Sequence, residues 1–320
     1  MRNRFVQLLV KWAREDENIY LLTADLGFSV LEPFAQQFPD RFINVGIAEQ
    51  NMIGVAAGLS LIGKRVFVYS IVNFGTLRCL EQIRNDLCYH NANVVVTIVG
   101  ASLSYGVNGY THLGVEDLSV MLPLPKMQVL SPADSFELEG CMSYIKKHTG
   151  PMYLRLSKGG EPAIHQEYFN VETNIFPEVN SEINIICHGT VLLEAIKVKL
   201  LLKKNCNITV GVFSVPLLKP FPKVKCLNLL RQSTHVFLIE EHMPLGGMNN
   251  LVAALAVSLG SDCPSIYFYS VDEKVMHLVG EQSFLRSSLG LDAPSLYISI
   301  LDELSAFINV DPIKNSLEMI

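Results

Sequence analysis

The sequence predicts an α/β protein of two domains, each built on a largely parallel sheet with helices on both faces. Three observations carry this. Short apolar runs rich in Val, Ile and Leu alternate with helical patterns over residues 19–156, and again from residue 183 onward. The chain has 320 residues, more than one hydrophobic core ordinarily serves. Hydrophobic residues make up 49% and charged residues 18%, so there is ample apolar surface to bury and no disordered tract to explain.

Phe5, Leu8, Leu9 and Trp12 fall on one stripe of an N-terminal amphipathic helix. Ile19–Thr23 reads as a strand leaving through Ala24-Asp25-Leu26-Gly27, and 42–45 as another, after which Gly46 opens a helix to about Ile62. Residues 65–70 form a β-rich run, 76–90 a helix and 93–99 a strand buried on both faces. A loop with glycines at 100, 106, 109 and 114 follows. Ser131-Pro132-Ala133-Asp134 starts a helix with Pro at its first position, and 152–156 is the next strand. The alternation lapses between Lys158 and Asn180. It resumes with a strand at 183–187, a helix from Thr190 to Lys204, strands at 209–213 and 235–240, and a helix from Gly246-Gly247 to Leu259. The domains are accordingly drawn as 1–160 and 182–320, with 161–181 as a linker.

Composition excludes several classes. A net charge of −6, all of it arising in residues 161–320, argues against nucleic acid as a partner. No apolar run reaches the ~20 residues of a membrane span, and Gln7 and Lys11 break the stretch that a secretion signal would need. The seven cysteines form no CxxC and no metal spacing, which suits idle thiols in a reducing cytoplasm. Gly58 to Arg65 imitates a phosphate loop, but Arg65 stands where Ser or Thr would hold magnesium, and the segment ends a helix. There is no GxGxxG, and no His/Cys set calls for zinc.

One helix start stands out. Glu49 lies in its first turn, and Gly54 and Gly58, four apart, leave a face that another backbone or a ligand can approach closely. On its own, Glu49 reads equally as a carboxylate complementing the helix dipole. Around it, in order, run Thr23-Ala-Asp25-Leu-Gly, Tyr69-Ser-Ile-Val-Asn-Phe74, Leu80-Glu-Gln-Ile-Arg-Asn-Asp86, Ser104-Tyr-Gly-Val-Asn-Gly109-Tyr-Thr-His112 and Val129-Leu-Ser-Pro-Ala-Asp134. The set resembles the C-terminal portion of transketolase in the form encoded as a separate subunit. The match is dense over ~15–160 and looser beyond, through Glu240-Glu241-His242 and Gly246-Gly247-Met248.

The resemblance implies a pyrimidine-binding domain of the thiamine-diphosphate type, followed by a smaller C-terminal-like α/β domain. It implies thiamine diphosphate as the cofactor, lying between subunits, and transfer of a two-carbon ketol unit between sugars. By this match Glu49 hydrogen-bonds N1′ of the aminopyrimidine and Phe74 packs on its face. Asp25 lies near the cofactor, Ser29 reaches a substrate phosphate, and His112 contacts substrate oxygens and moves protons. Phe74 also reads as a core aromatic, and His112 as a solvated loop histidine. The sequence departs from full-length transketolases at Asn108, where they carry aspartate, and at Gly100, near which they carry histidine. Lys158 stands where the family has a phosphate-binding arginine. The partner half of the family holds Mg²⁺ through Gly-Asp-Gly followed by Asn, and no Asp here is followed by Gly. The resemblance therefore implies a separately encoded diphosphate-binding subunit that holds the metal, with this chain as a homodimer inside a heterotetramer. Two alternatives remain open: the β subunit of a 2-oxoacid dehydrogenase E1, and a non-catalytic assembly or regulatory subunit of the same fold.

Overall fold

The computed structural model describes residues 1–175 and 181–305. Seven strands form the first sheet, in the order β2-β1-β3-β4-β6-β5-β9. These are β1 (Ile19–Thr23), β2 (Phe42–Asn44), β3 (Arg65–Ile71), β4 (Val94–Val99), β5 (Gln128–Leu130), β6 (Met152–Leu156) and β9 (Leu217–Lys219). The first six pair in parallel, and β9 runs antiparallel on β5. β4 sits mid-sheet with all six residues buried, as a strand of five apolar residues around Thr97 requires. Helix α1 (Arg2–Glu15) lays Phe5, Leu9 and Trp12 on the sheet, where Phe5 and Trp12 meet Phe67.

The second sheet is four-stranded and parallel, ordered β11-β10-β7-β8: β7 (Ile183–Cys187), β8 (Gly211–Ser214), β10 (His235–Ile239) and β11 (Ser265–Tyr269). Residues 217–219, which follow β8, cross back to complete the first sheet. The two halves are thus stitched together rather than merely linked. Residues 161–175 are likewise strapped to the first domain, since Asp134 accepts the backbone N–H groups of Ile164 and His165, and Val171 and Ile175 are buried.

Several expectations shift. The helix expected to open at Gly46 starts at Glu49, as α3 (Glu49–Leu61). Gly46 has φ +74°, and Asn44 Oδ1 accepts its N–H, so this glycine makes the turn. Asp134 is the N-cap of helix Ser135–Lys147 rather than a residue inside it, its carboxylate accepting from the N–H groups of Phe136 and Glu137. Residues 76–90 are helical but irregular, with 3₁₀ and π turns from Leu77 to Tyr89. β5, β9, β11 and the helices Gln282–Leu289 and Ala293–Ser305 carry signals too short or too mixed to be read from the sequence. Among the described residues no helix is long and apolar enough to cross a membrane.

Candidate active site

In a parallel sheet, ligand-contacting groups gather beyond the carboxyl ends of the strands. The residues singled out in the sequence emerge from that edge. Asp25 and Ser29 follow β1, Glu49 follows β2, Phe74 follows β3, Asn108 and His112 follow β4, and Lys158 follows β6. Asn44 Oδ1 accepts both the Asp25 and the Gly46 N–H groups, tying the end of β1 to the turn that presents Glu49.

Glu49 is 4% exposed, unusual for a helix-start carboxylate, and its Oε2 meets Arg78 Nη1 at 2.9 Å. The Arg78 guanidinium lies 4.4 Å from the centroid of the Phe74 ring. On the same ring His112 packs edge-on at 5.4 Å. Asn73 Nδ2 donates to the Thr111 carbonyl, holding the His112 loop on the segment that carries Phe74, and Thr111 Oγ1 meets His112 Nδ1 at 2.9 Å. The structure thus brings Glu49, Phe74 and His112 together, with Arg78 as a fourth member. Sequence reading missed Arg78, which sits in a separate 3₁₀ turn beyond a break at Thr76, so no local spacing announces its contact with Phe74.

Lys158 lines a cavity of about 260 Å³ with Ser104 and Ser157, and its ammonium lies 5.7 Å from the Tyr105 ring. Gly100 has φ +88°, and a Cβ there would meet the Tyr105 ring at 2.0 Å, so Tyr105 fills the space beside the position for which a histidine was expected. Arg2, also missed, lies against Gly159 and beside Tyr69 and Tyr105, its Nε buried without a hydrogen-bond partner. Ser29 lines a different groove, about 480 Å³ between α1 and α2 (Glu32–Gln37), together with Lys11 and Arg14. Asn108 is exposed in a 3₁₀ turn and donates its N–H to the Tyr105 carbonyl. Ser29 and Lys158 therefore open on separate cavities.

A buried ion pair braces the loop that carries His112. Arg155, 1% exposed near the carboxyl end of β6, donates Nε to Asp117, Nη1 to Ser102 Oγ and Nη2 to the Gly114 carbonyl. Tyr153 also donates to Asp117, at 2.6 Å. Burial alone would push the Asp117 carboxyl up, but Arg155 holds it below the ordinary carboxylate range. Ser102 and Gly114 exchange backbone hydrogen bonds, closing the loop at its base. By contrast, Glu240-Glu241-His242 serves structure. Glu240 accepts the N–H groups of Met248 and Asn249 at the start of helix Met248–Val257, and a Cβ at Gly247 would meet its carboxylate at 2.4 Å.

Residues 1–161 match the transketolase pyrimidine-binding domain, and residues 172–295 match the transketolase C-terminal domain. The chain belongs to the transketolase family. It is 33% identical over 269 residues to a 6-deoxy-6-sulfo-D-fructose transketolase subunit of Clostridium sp. (strain MSTE9), covering 82% of each chain. It is similar to a solved split-gene transketolase described as an inactive β4 tetramer, with 30% identity, a TM-score of 0.81, and coverage of 95% of this chain and 97% of that one. It is also 30% identical over 274 residues to the 1-deoxy-D-xylulose-5-phosphate synthase of Pelotomaculum thermopropionicum, covering 84% of this chain but 42% of the synthase. The transketolase-type α/β architecture and the likeness to C-terminal subunits of split transketolases follow.

Proposed function

We propose that this chain is the pyrimidine-binding half of a two-subunit, thiamine-diphosphate-dependent transketolase that moves a two-carbon ketol unit between sugars in the cytoplasm. One observation carries the reading: a buried carboxylate at a helix start, Glu49, shares its surroundings with an aromatic face and a loop histidine at the ligand-binding edge of the sheet. The residues fit the pyrimidine end of the cofactor. Glu49 and Phe74 already bind one planar, positively charged N–H donor, the Arg78 guanidinium, and this is the chemistry a protonated aminopyrimidine presents. When bound, the cofactor supplies the carbon nucleophile that carries the two-carbon unit. Glu49 would hold a proton at N1′, Phe74 would orient the ring, and His112 would hold or move a proton at substrate oxygens, Nε2 being free of the Thr111 contact. Asp25 would stand near the cofactor, and Asn108 at the substrate. Lys158, with Arg2 beside it, would favour a sugar bearing an anionic group; the clostridial relative is named for a sulfo-sugar.

The diphosphate and Mg²⁺ would belong to a separately encoded subunit. The inactive β4 assembly of the split-gene neighbour supports that division of labour. Self-association through α3 is supported by its open face: Gly54 and Gly58 have nothing within 4 Å of a Cβ, and Ile47, Leu61 and Ile62 are 80%, 65% and 72% exposed. A second reading, a subunit of a 1-deoxy-D-xylulose-5-phosphate synthase, is favoured by the synthase relative, whereas the transketolase subunit is matched over nearly twice the share of its length. Calorimetry of the isolated chain with thiamine diphosphate and Mg²⁺ tests the proposal. The expected result is weak or absent binding that becomes tight once the diphosphate-binding subunit is added. Tight, magnesium-dependent binding by the isolated chain would refute it.

A further inference from the structure

The proposed chemistry sits on the first sheet and leaves the second domain without a part in it. We propose that the second domain is the mould for the loop that carries His112, and that Leu285 and Gly280 are positioning residues that set where the His112 ring stands. The inference rests on the reading of His112 above and adds the residues that hold it in place.

The loop, residues 101–115, leaves the first sheet at the end of β4. Its apolar side chains do not return to that sheet's core. Leu103, Leu113 and Val115 are buried instead in the second domain's core, together with Val275 and Leu285. Leu113 is the residue next to His112, so this anchor acts directly on the histidine's backbone. Two backbone hydrogen bonds join the same partners. Gly280 donates its N–H to the Gly106 carbonyl at 3.1 Å, and Met243 donates to the Val115 carbonyl at 2.7 Å. At Gly106 the approach is backbone to backbone: a Cβ there would meet the Gly280 carbonyl oxygen at 2.4 Å and Leu285 Cδ1 at 2.2 Å. Only glycine permits that contact. The first domain holds the loop elsewhere, through the Asn73 bond to the Thr111 carbonyl and the Arg155 bonds at the loop's base. The edge-on packing of His112 on Phe74 is thus set from two sides, Phe74 by the first sheet and His112 largely by the second domain. Such an anchor matters to chemistry, because displacing a positioned group by about 1 Å can cost about 10²-fold in rate.

The test reads the place of His112 in the full chain by NMR of its ring protons, which sense the neighbouring Phe74 ring, with a Phe74→Leu chain as the reference that lacks that ring. Leu285→Ala removes the side chain packed against Gly106. Its His112 ring resonances should move toward those of the reference, and amide exchange over residues 101–115 should quicken by about tenfold or more. Leu285→Val should give the same changes in smaller measure, and it serves if the alanine variant does not fold. Leu285→Met conserves the volume and should leave both readouts near wild type. Leu202→Ala makes the same truncation in the same core, at the far end of helix Leu192–Cys206, and should lower the melting temperature without moving His112. In the complex assembled with the diphosphate-binding subunit, thiamine diphosphate and Mg²⁺, exchange of the thiazolium C2 proton should match wild type in Leu285→Ala, since Glu49 and Phe74 stand on the first domain. His112 resonances that stay in place when Leu285 is truncated, or that move as far in Leu202→Ala, would overturn the mould. Absence of C2 exchange in the wild-type complex would overturn the thiamine-diphosphate reading instead, and the NMR result on the loop would stand apart from it.

Discussion

Replacing Arg155 by Met keeps most of the apolar stem and removes the charge from β6. The guanidinium touches Asp117, Ser102 Oγ and the Gly114 carbonyl, all at the base of the loop that presents His112. Both members of the ion pair are essentially unexposed, so water cannot take over the lost contacts. Breaking a buried pair by removing one partner costs about 3–5 kcal/mol, because the remaining charge stays desolvated. At roughly 1.5 °C per kcal/mol for a chain of 320 residues, the melting temperature should fall by about 4–8 °C. The Tyr153 hydroxyl still donates to Asp117 and favours the lower part of that range. In the double variant Arg155→Met/Asp117→Asn no charge remains buried, so at least half of the loss should return. Circular dichroism melting checks both figures, and amide exchange over residues 101–114 should quicken in the single variant alone. A drop of less than about 2 °C for Arg155→Met, or a double variant as unstable as the sum of the singles, would refute the bracing role.

The remaining expectations are simpler. Gly54→Leu should weaken self-association by about 1–3 kcal/mol or more if the open face of α3 is the contact, as read from the assembly mass by sedimentation equilibrium; an unchanged oligomer and melting temperature would place the contact elsewhere. Stability should fall as pH rises from about 4.5 to just above 7. Burial pushes the Glu137 carboxyl from 4.5 up to about 7, so its contribution is complete below about pH 4.5 and is lost as pH rises through about 7. His165 acts in the same direction: although burial opposes its charge, Asp134 and Glu137 raise its value above 6.5. Asp134 stays constant across this window. Burial pushes it up, but hydrogen bonds from His165 and backbone N–H groups bring it down to about 2, so its contribution is lost only in strong acid. Melting curves of Glu137→Gln should show a flatter pH dependence than wild type.

Sequence patterns were strongest where burial is uniform. β4, apolar at every position but Thr97, and the α1 stripe could be placed because their apolar patterns are nearly uninterrupted. β5 and β9 have three residues each, too short for any period, so the crossing of residues 217–219 into the first sheet was invisible. Arg155 was the overlooked clue: a cation inside an apolar strand announces a buried partner, but Asp117 lies 38 residues away and no local spacing links them. Glu49, Phe74 and His112 were legible because a motif order carried them. Arg78 and Arg2 were not, since their roles arise only when separate strand ends meet. The motif through Glu240 was legible as a motif, but its work is to cap a helix.

The central claim is that Glu49 is the carboxylate that shares the N1′ proton, and Glu49→Gln isolates it. The variant keeps the shape and one hydrogen bond but removes the charge. The complex with the diphosphate-binding subunit should still assemble and bind cofactor, while turnover falls by about 10²–10⁴, the usual weight of a positioned proton-transfer group. The most direct measurement is exchange of the thiazolium C2 proton with deuterated solvent, followed by NMR on the assembled wild-type and Glu49→Gln complexes. The account expects exchange to slow in parallel with turnover. Equal exchange rates, accompanied only by a small loss of stability, would show that Glu49 is a helix-start carboxylate and nothing more.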